Sequence, residues 1–271
     1  MKTTILTGIL AAAGCGALMA QPAQVSQSQP AQAQNQPAQA QNQPKPKSNA
    51  EAQAVNAMIQ ARSSGPDAMI KAADELVSKF ADTDFKELAY TFEAQAYQTK
   101  GDAAKAEFFD EEILKINPKN ADASLQLGEL IVNHTGENDL DKEEKLAKAE
   151  KLLNQTIDNL KAAPKPNPQI TDAQWEGFKK QETAEAQADL GRAALLRKKY
   201  DDAVAAYKAA SETDPQPAYQ AYMAQAYQKA GKNDEALALC DKLLSDPQLN
   251  PQIKQYLQTV QRAANAAKGA K

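Results

Sequence analysis

The chain has 271 residues, with 31 Lys+Arg against 35 Asp+Glu and a formal net charge of -4. That acidic balance excludes a nucleic-acid surface, which needs a basic footprint, and one His with two Cys excludes a protein-built zinc or iron–sulfur site of the usual ligand count. Only 11 Gly leave little for phosphate-cradling loops, and neither a Walker-type loop nor a nucleophile elbow occurs, so neither catalysis nor a cofactor is expected.

Met1-Lys2 supplies a short positive start, and Thr3 to Ala13 is an apolar run closed by small residues. This is the pattern of a secretory signal, too short to persist as a membrane span. Residues 1–20 are therefore expected to direct export, to the periplasm or cell envelope. Two processing routes stay open. Cleavage after Ala20 would leave Gln21 first, although Leu18 is large for that site. Alternatively, Ala13-Gly14-Cys15 resembles the end of a bacterial lipobox, with Ala12 where Leu is usual, and would lipidate Cys15 into an outer-membrane lipoprotein. No later stretch is apolar for long enough to predict an integral span.

Residues 21–49 read as a disordered Gln/Pro/Ala-rich tether. The heptad Pro30-Ala-Gln-Ala-Gln-Asn-Gln36 recurs unchanged as Pro37 to Gln43, and Val25 is the one bulky apolar residue. Such a segment buries too little surface to offset the entropy of ordering it.

From Ala50 to Lys271 the apolar period is helical and the segments repeat. Ala94 and Tyr97 recur 34 residues later as Gly128 and Ile131, while Gly191, Ala194, Ala203 and Tyr207 recur 33 later as Ala224, Tyr227, Ala236 and Cys240. A fixed period of this size marks a solenoid in which no unit buries its apolar face alone. Two insertions interrupt it, at 134–142 and 163–182. Gly101-Asp102, Lys199-Tyr200-Asp201 and Gly231-Lys232-Asn233 are expected to end one helix and cap the next, and Gly65-Pro66-Asp67 to break the chain within the first pair. Asn117-Pro118, Asp214-Pro215 and Asp246-Pro247 break the chain between pairs, because proline disfavours helix at the residue before it. Thr171-x-x-Gln174 reads as a capping box opening one long helix to about Arg197, with Trp175 and Phe178 on one face.

Leu190-Gly191, Ala194, Tyr200, Ala203, Tyr207, Ala210 and Pro215 resemble a tetratricopeptide repeat almost in full. Tyr90, Ala94, Tyr97, Gly101, Ala106 and Pro118 resemble a second, Leu127-Gly128 with Ala149 a third, and Ala224, Tyr227, Gly231 and Ala236 a fourth. Ala52 to Asp84 looks like a degenerate fifth, and Pro251 to Ala267 like a solvating cap helix. The resemblance implies an all-α, right-handed superhelical solenoid of antiparallel helix pairs, about five units plus the cap, over residues 50–271. Departures are Glu93, where the family prefers Leu, and Asp110 and Cys240, where it prefers an aromatic.

The remaining polar residues have bland readings. His134, beside Glu137, Asp139 and Asp141, reads as part of a solvated acidic loop, and Asn133-x-Thr135 and Asn154-x-Thr156 as chance sequons. Cys240 reads as a small buried hydrophobe. Asp110-Glu111-Glu112 reads as a solvated face, and the tyrosines as core, with Phe92 and Tyr222 the expected exceptions. What the family resemblance adds is a surface: the first helix of each pair lines a concave groove for a partner peptide or helix. Carried over, the groove comprises Thr91, Gln95, Gln98 and Thr99; Leu125, Glu129, Val132 and Asn133; Glu185, Ala188, Arg192 and Leu195; and Ala221, Gln225 and Gln228. With Arg192 its one basic residue, it reads as neutral and Gln-rich, unsuited to clamping an acidic tail. The implied role is a non-catalytic protein–protein scaffold of the cell envelope. A lipid-anchored assembly factor and a cell-wall polysaccharide binder using Trp175 and Phe178 are the alternatives, as is a groove filled by the chain's own termini.

Overall fold

Apolar residues three and four apart give each segment a stripe that must be covered, and each helix finds its cover on the helix next in sequence. The computed structural model describes residues 44–269, so the leader, Cys15 and the tether up to Gln43 lie outside the described residues. Among the described residues eleven α-helices follow one another: α1 Asn49–Ala61, α2 Pro66–Lys79, α3 Lys86–Lys100, α4 Ala103–Ile116, α5 Ala121–His134, α6 Lys142–Ala162, α7 Asp172–Leu196, α8 Tyr200–Thr213, α9 Pro217–Lys229, α10 Asn233–Leu244 and α11 Pro251–Gly269. They form five antiparallel pairs and a final helix packed on α9 and α10. The result is an all-α solenoid, as the period requires.

Local chemistry places the ends. Gly101 and Gly231 take left-handed φ of 75° and 76°, turning the chain between the helices of their pairs. Asp102 accepts from Lys105 N and Asn120 from Ala123 N, while Thr171 and Gln174 form both bonds of a capping box. Two turns differ from expectation. At Lys199-Tyr200-Asp201 the left-handed turn falls on Lys198, with φ of 61°, and Asp201 lies inside the first turn of α8 and does not cap it. At Gly231-Lys232-Asn233 the asparagine lies inside the first turn of α10 and does not cap it.

The pairs close tightly because small residues sit where helices cross. A Cβ on Gly128 would stand 2.8 Å from Leu153 Cδ2, and one on Gly191 would stand 2.9 Å from the Tyr207 ring. Ala106, Ala149, Ala203 and Ala236, equivalent positions of the second helices, are all buried. The core divides into local clusters, one around Val55, Met58, Leu76 and Phe92, another around Leu127, Leu146 and Leu153, a third around Tyr207 and a fourth around Leu257. That is the pattern of a stack stabilised by nearest neighbours.

Each junction is also pinned by polar contacts. Lys100 pairs with Asp67, Lys232 with Asp201 and Lys268 with Asp234, each joining the end of one unit's inner helix, or the turn just after it, to the start of the preceding unit's outer helix. Glu87 Oε1 accepts from both Asn117 Nδ2 (2.9 Å) and Asn120 Nδ2 (2.8 Å), tying α3 to the turn before α5. At the amino end Ser48 caps α1, and Lys47 reaches the Asp82 and Asp84 carboxylates at 3.3 and 3.5 Å.

Both insertions acquire structure. Residues 135–141 form a loop held by its own side chains, with Asp139 accepting from Gly136 N and paired with Lys145. The second insertion lengthens α6 to 21 and α7 to 25 residues, and residues 163–171 join them. Trp175 stacks on Phe178 with centroids 5.3 Å apart and donates Nε1–H to the Ala163 carbonyl, bracing that extension from within.

Candidate functional site

The odd-numbered helices form the inner row, because α5 packs directly on α7 and α9 on α11, whereas among the described residues no two even-numbered helices make a comparable contact. Side chains on this row that escape the core define the candidate surface. Gln98, Thr99 and Arg192 are exposed, and Thr91, Gln95, Glu129, Asn133, Glu185, Leu195, Gln225 and Gln228 are half-buried. Thr91 and Thr99 spend their hydroxyls on the Glu87 and Gln95 carbonyls of their own helix. Leu125 and Val132 lie inside the core, together with Ala188 and Ala221. Leu125 and Val132 pack where α5 meets α7, in one cluster with Ala186 and Ala193, whereas Ala188 packs in the cluster around Tyr207 and Ala221 in the cluster around Leu257.

That same contact assembles something the linear reading passes over. Asp122 and Glu129 of α5 come together with Glu182 and Glu185 of α7. Burial, reinforced by Asp122, Glu185 and Glu129, pushes Glu182 up to about 8. Burial and then Glu129 raise Glu185, and burial alone raises Asp122. Every charge acting on Glu182 is another carboxylate. Beside them Asn133 Nδ2 donates to Glu129 Oε1 at 3.0 Å, and Asn133 Oδ1 is buried without a partner. The centre of the expected groove is therefore lined by carboxyl groups, and Glu182 among them holds its proton to about 8.

Towards the carboxyl end the surface turns aromatic. Tyr222 is 40% exposed and meets Tyr207 and Tyr256 with centroids at 5.6 and 5.7 Å, the latter edge-on. Burial first, then the neighbouring tyrosine and acidic groups, raises the Tyr207 hydroxyl, and the Arg192 guanidinium works the other way on both Tyr207 and Tyr256. Arg192 therefore stands beside these tyrosines, on the same helix as Glu182 and Glu185.

Several other residues settle elsewhere. Phe92, expected to be exposed, is 4% exposed and lies under the Arg62 guanidinium, 5.4 Å from the ring centroid. Asp110 is 1% exposed, so it does not belong to a solvated face; burial, with Glu107, pushes it up to about 8. Cys240 is fully buried and its thiol donates to the Leu257 carbonyl at 3.7 Å. His134 ends α5 with a ring nitrogen 2.8 Å from the Leu130 carbonyl. Among the described residues no group of three or more His, Cys, Asp or Glu is placed to hold a metal ion.

Comparison with protein-family models gives no match, and neither does comparison with curated proteins. Solved structures do match. TTC0263, a thermophilic TPR protein of Thermus thermophilus, superposes with a TM-score of 0.51 at 18% identity over 78% of this chain and 98% of its own. The fold is of the tetratricopeptide type. A MamA RS-1 double mutant matches with a TM-score of 0.53 at 13% identity over 81% and 98% of the two chains. MamA AMB-1 matches with 0.52 at 17% over 76% and 97%. At such identities the tetratricopeptide-type likeness speaks for the backbone architecture, and the surface must be argued from this chain's own residues.

Proposed function

We propose that the protein is a non-catalytic scaffold of the bacterial cell envelope that holds a cationic segment of another protein, a peptide or a helix, along its inner helix row. The observation that carries this reading is the meeting of Asp122, Glu129, Glu182 and Glu185 on α5 and α7, with the exposed Tyr222 of α9 farther along the same row. Carboxylates crowded in this way ionise against one another, and a Lys or Arg side chain brought among them relieves both the repulsion and the lost hydration. Tyrosine rims suit the apolar face of such a segment and present hydroxyls to its backbone. No helix among the described residues is long and apolar enough to cross a membrane; export rests on the sequence of residues 1–20.

The test is calorimetric titration of the mature protein with a Lys-rich amphipathic helical peptide and its Glu-rich twin, at low and physiological salt. The Lys-rich peptide is expected to bind, more weakly at higher salt, and to lose binding to a variant carrying Glu182→Lys and Glu185→Lys. Equal binding of the twins, or binding indifferent to the double reversal, refutes the reading. A lipid-tethered form of the same scaffold is favoured by Ala13-Gly14-Cys15. Mass spectrometry of the mature protein separates the two, since an acylated Cys15 and a Gln21 start differ in mass.

A further inference from the structure

Glu93 stands on α3 where the repeat pattern calls for an aliphatic residue, and it is 2% exposed. Its carboxyl comes within hydrogen-bonding reach of the Asp74 carboxyl on α2, across the seam between the first and second helix pairs. Its Oε2 is buried and has no hydrogen-bond partner. Two carboxyl groups in contact cannot both be ionised at low energy; the contact holds only while one proton remains between them. A cleft lined by Ile70, Asp74, Tyr97 and Lys105 opens over the Asp74 side, so that proton can exchange with solvent.

The charges facing the pair leave its proton in place. On α2, Lys79 is engaged by Glu75, and Asp67 by Lys100 from α3. Lys71 lines the cleft on the same helix. At the start of α4, Lys105 is paired with Asp102 and lies over the Tyr97 ring. On α3 burial, then Glu112 and last Glu93 raise the Tyr90 hydroxyl, and before α2 the Arg62 guanidinium is drawn over Phe92. Burial, then the hydrogen bond and repulsion from Asp74, push Glu93 up to about 8.

We propose that a proton held on Glu93 bonds it to Asp74 and so clamps the first helix pair to the second, and that loss of this proton loosens α1 and α2 from the rest of the stack. The clamp is tightest in acid. An opened seam returns Glu93 to the ordinary carboxylate range near 4.5, whereas the closed seam keeps its proton to about 8. Closure is therefore strongest below the lower value, weakens across the interval, and levels off above the upper one. The amino-terminal end of the inner row becomes looser as the medium turns from acid to mildly alkaline.

Hydrogen exchange read by mass spectrometry on the full chain, corrected for the intrinsic pH dependence of exchange, tests this between pH 5 and 9. Protection of α1 and α2 should fall by up to about tenfold per pH unit up to about pH 8, and then flatten, as release of a single proton requires. In Glu93→Gln the amide can still donate to Asp74 but cannot titrate, so that slope should vanish. Asp74→Asn provides a second route should the first variant fail to fold, and should shrink the slope. Asp110→Asn, which removes the other buried acid of the second pair, should leave the α1–α2 slope unchanged. Flat protection in the unaltered chain overturns the proposal. So does a slope that survives Glu93→Gln, or one shared equally by α7 to α11.

Discussion

Replacing glycine by alanine at two points of the same helix should have opposite effects. Gly177 and Gly191 both lie within α7, and neither has a positive φ. A Cβ at position 177 meets nothing within 4 Å, so Gly177→Ala should register only the helix preference of alanine, a stabilisation of about 1 kcal/mol. At position 191 the same atom would stand 2.9 to 3.0 Å from three carbons of the Tyr207 ring, which is itself 3% exposed and packed among Ala194, Ala203 and Ala210. The ring cannot step aside without displacing its neighbours, and overpacking of this kind costs about 1–3 kcal/mol. Set against the helix gain, Gly191→Ala should destabilise by about 1 kcal/mol, leaving the two variants about 2 kcal/mol apart. Thermal unfolding followed by far-UV circular dichroism should show that gap as roughly 4–8 °C in Tm for a domain of this size. Adding Tyr207→Leu to Gly191→Ala should recover part of the loss beyond what Tyr207→Leu alone predicts, because the clash has gone. If Gly191→Ala stabilises as much as Gly177→Ala, the crossing of α7 and α8 is looser than described and the close-approach argument fails.

Three further outcomes are expected. Burial, reinforced by Asp241, pushes the Cys240 thiol up to about 11, so in a chain beginning at Gln21, which lacks Cys15, a thiol reagent such as dithionitrobenzoate should react at neutral pH only on unfolding in denaturant; rapid labelling of that chain when folded would contradict this. Glu182 holds its proton to about 8 in the fold against an ordinary 4.5, so its contribution is complete below 4.5 and lost as pH rises to 8. Tm should accordingly be higher at pH 5 than at pH 8, and Glu182→Gln should narrow that difference by a few degrees; an unchanged difference would show the acidic strip to be well solvated. Ser48→Ala removes the side chain that accepts from Glu51 N and should cost about 1 kcal/mol, read as faster amide exchange in the first turn of α1 with α3 onward unaffected.

The architecture was legible because its determinants are local. Gly101-Asp102, Thr171-x-x-Gln174 and the prolines after Asn117, Asp214 and Asp246 act within a few residues, and the structure puts helix ends at each. The small residues Gly128 and Gly191 were likewise readable, since only a crossing of helices keeps them at one period. The groove was less so. Asp122 and Glu182 are 60 positions apart, and they meet where α5 lies on α7. The same contact buries Leu125 and Val132, which the repeat pattern alone assigns to the surface. Asp110 was misplaced because a run of three acids looks solvated, whereas helical geometry points the first inward and leaves Glu111 and Glu112 at the rim. Pattern could flag Glu93 and Asp110 as misfits to the repeat, but not that both would be buried with an oxygen left unpartnered.

The lysine-to-aspartate ties at the junctions have an evolutionary corollary. Lys100 to Asp67, Lys232 to Asp201 and Lys268 to Asp234 each span close to one unit of sequence, and each joins the same two edges of successive units. An edge that presents the same lysine, and accepts it on the same aspartate, is interchangeable with its counterpart further along. A duplication or excision of one whole unit would then splice together edges that already match, and the lineage could lengthen or shorten its array in single genetic steps.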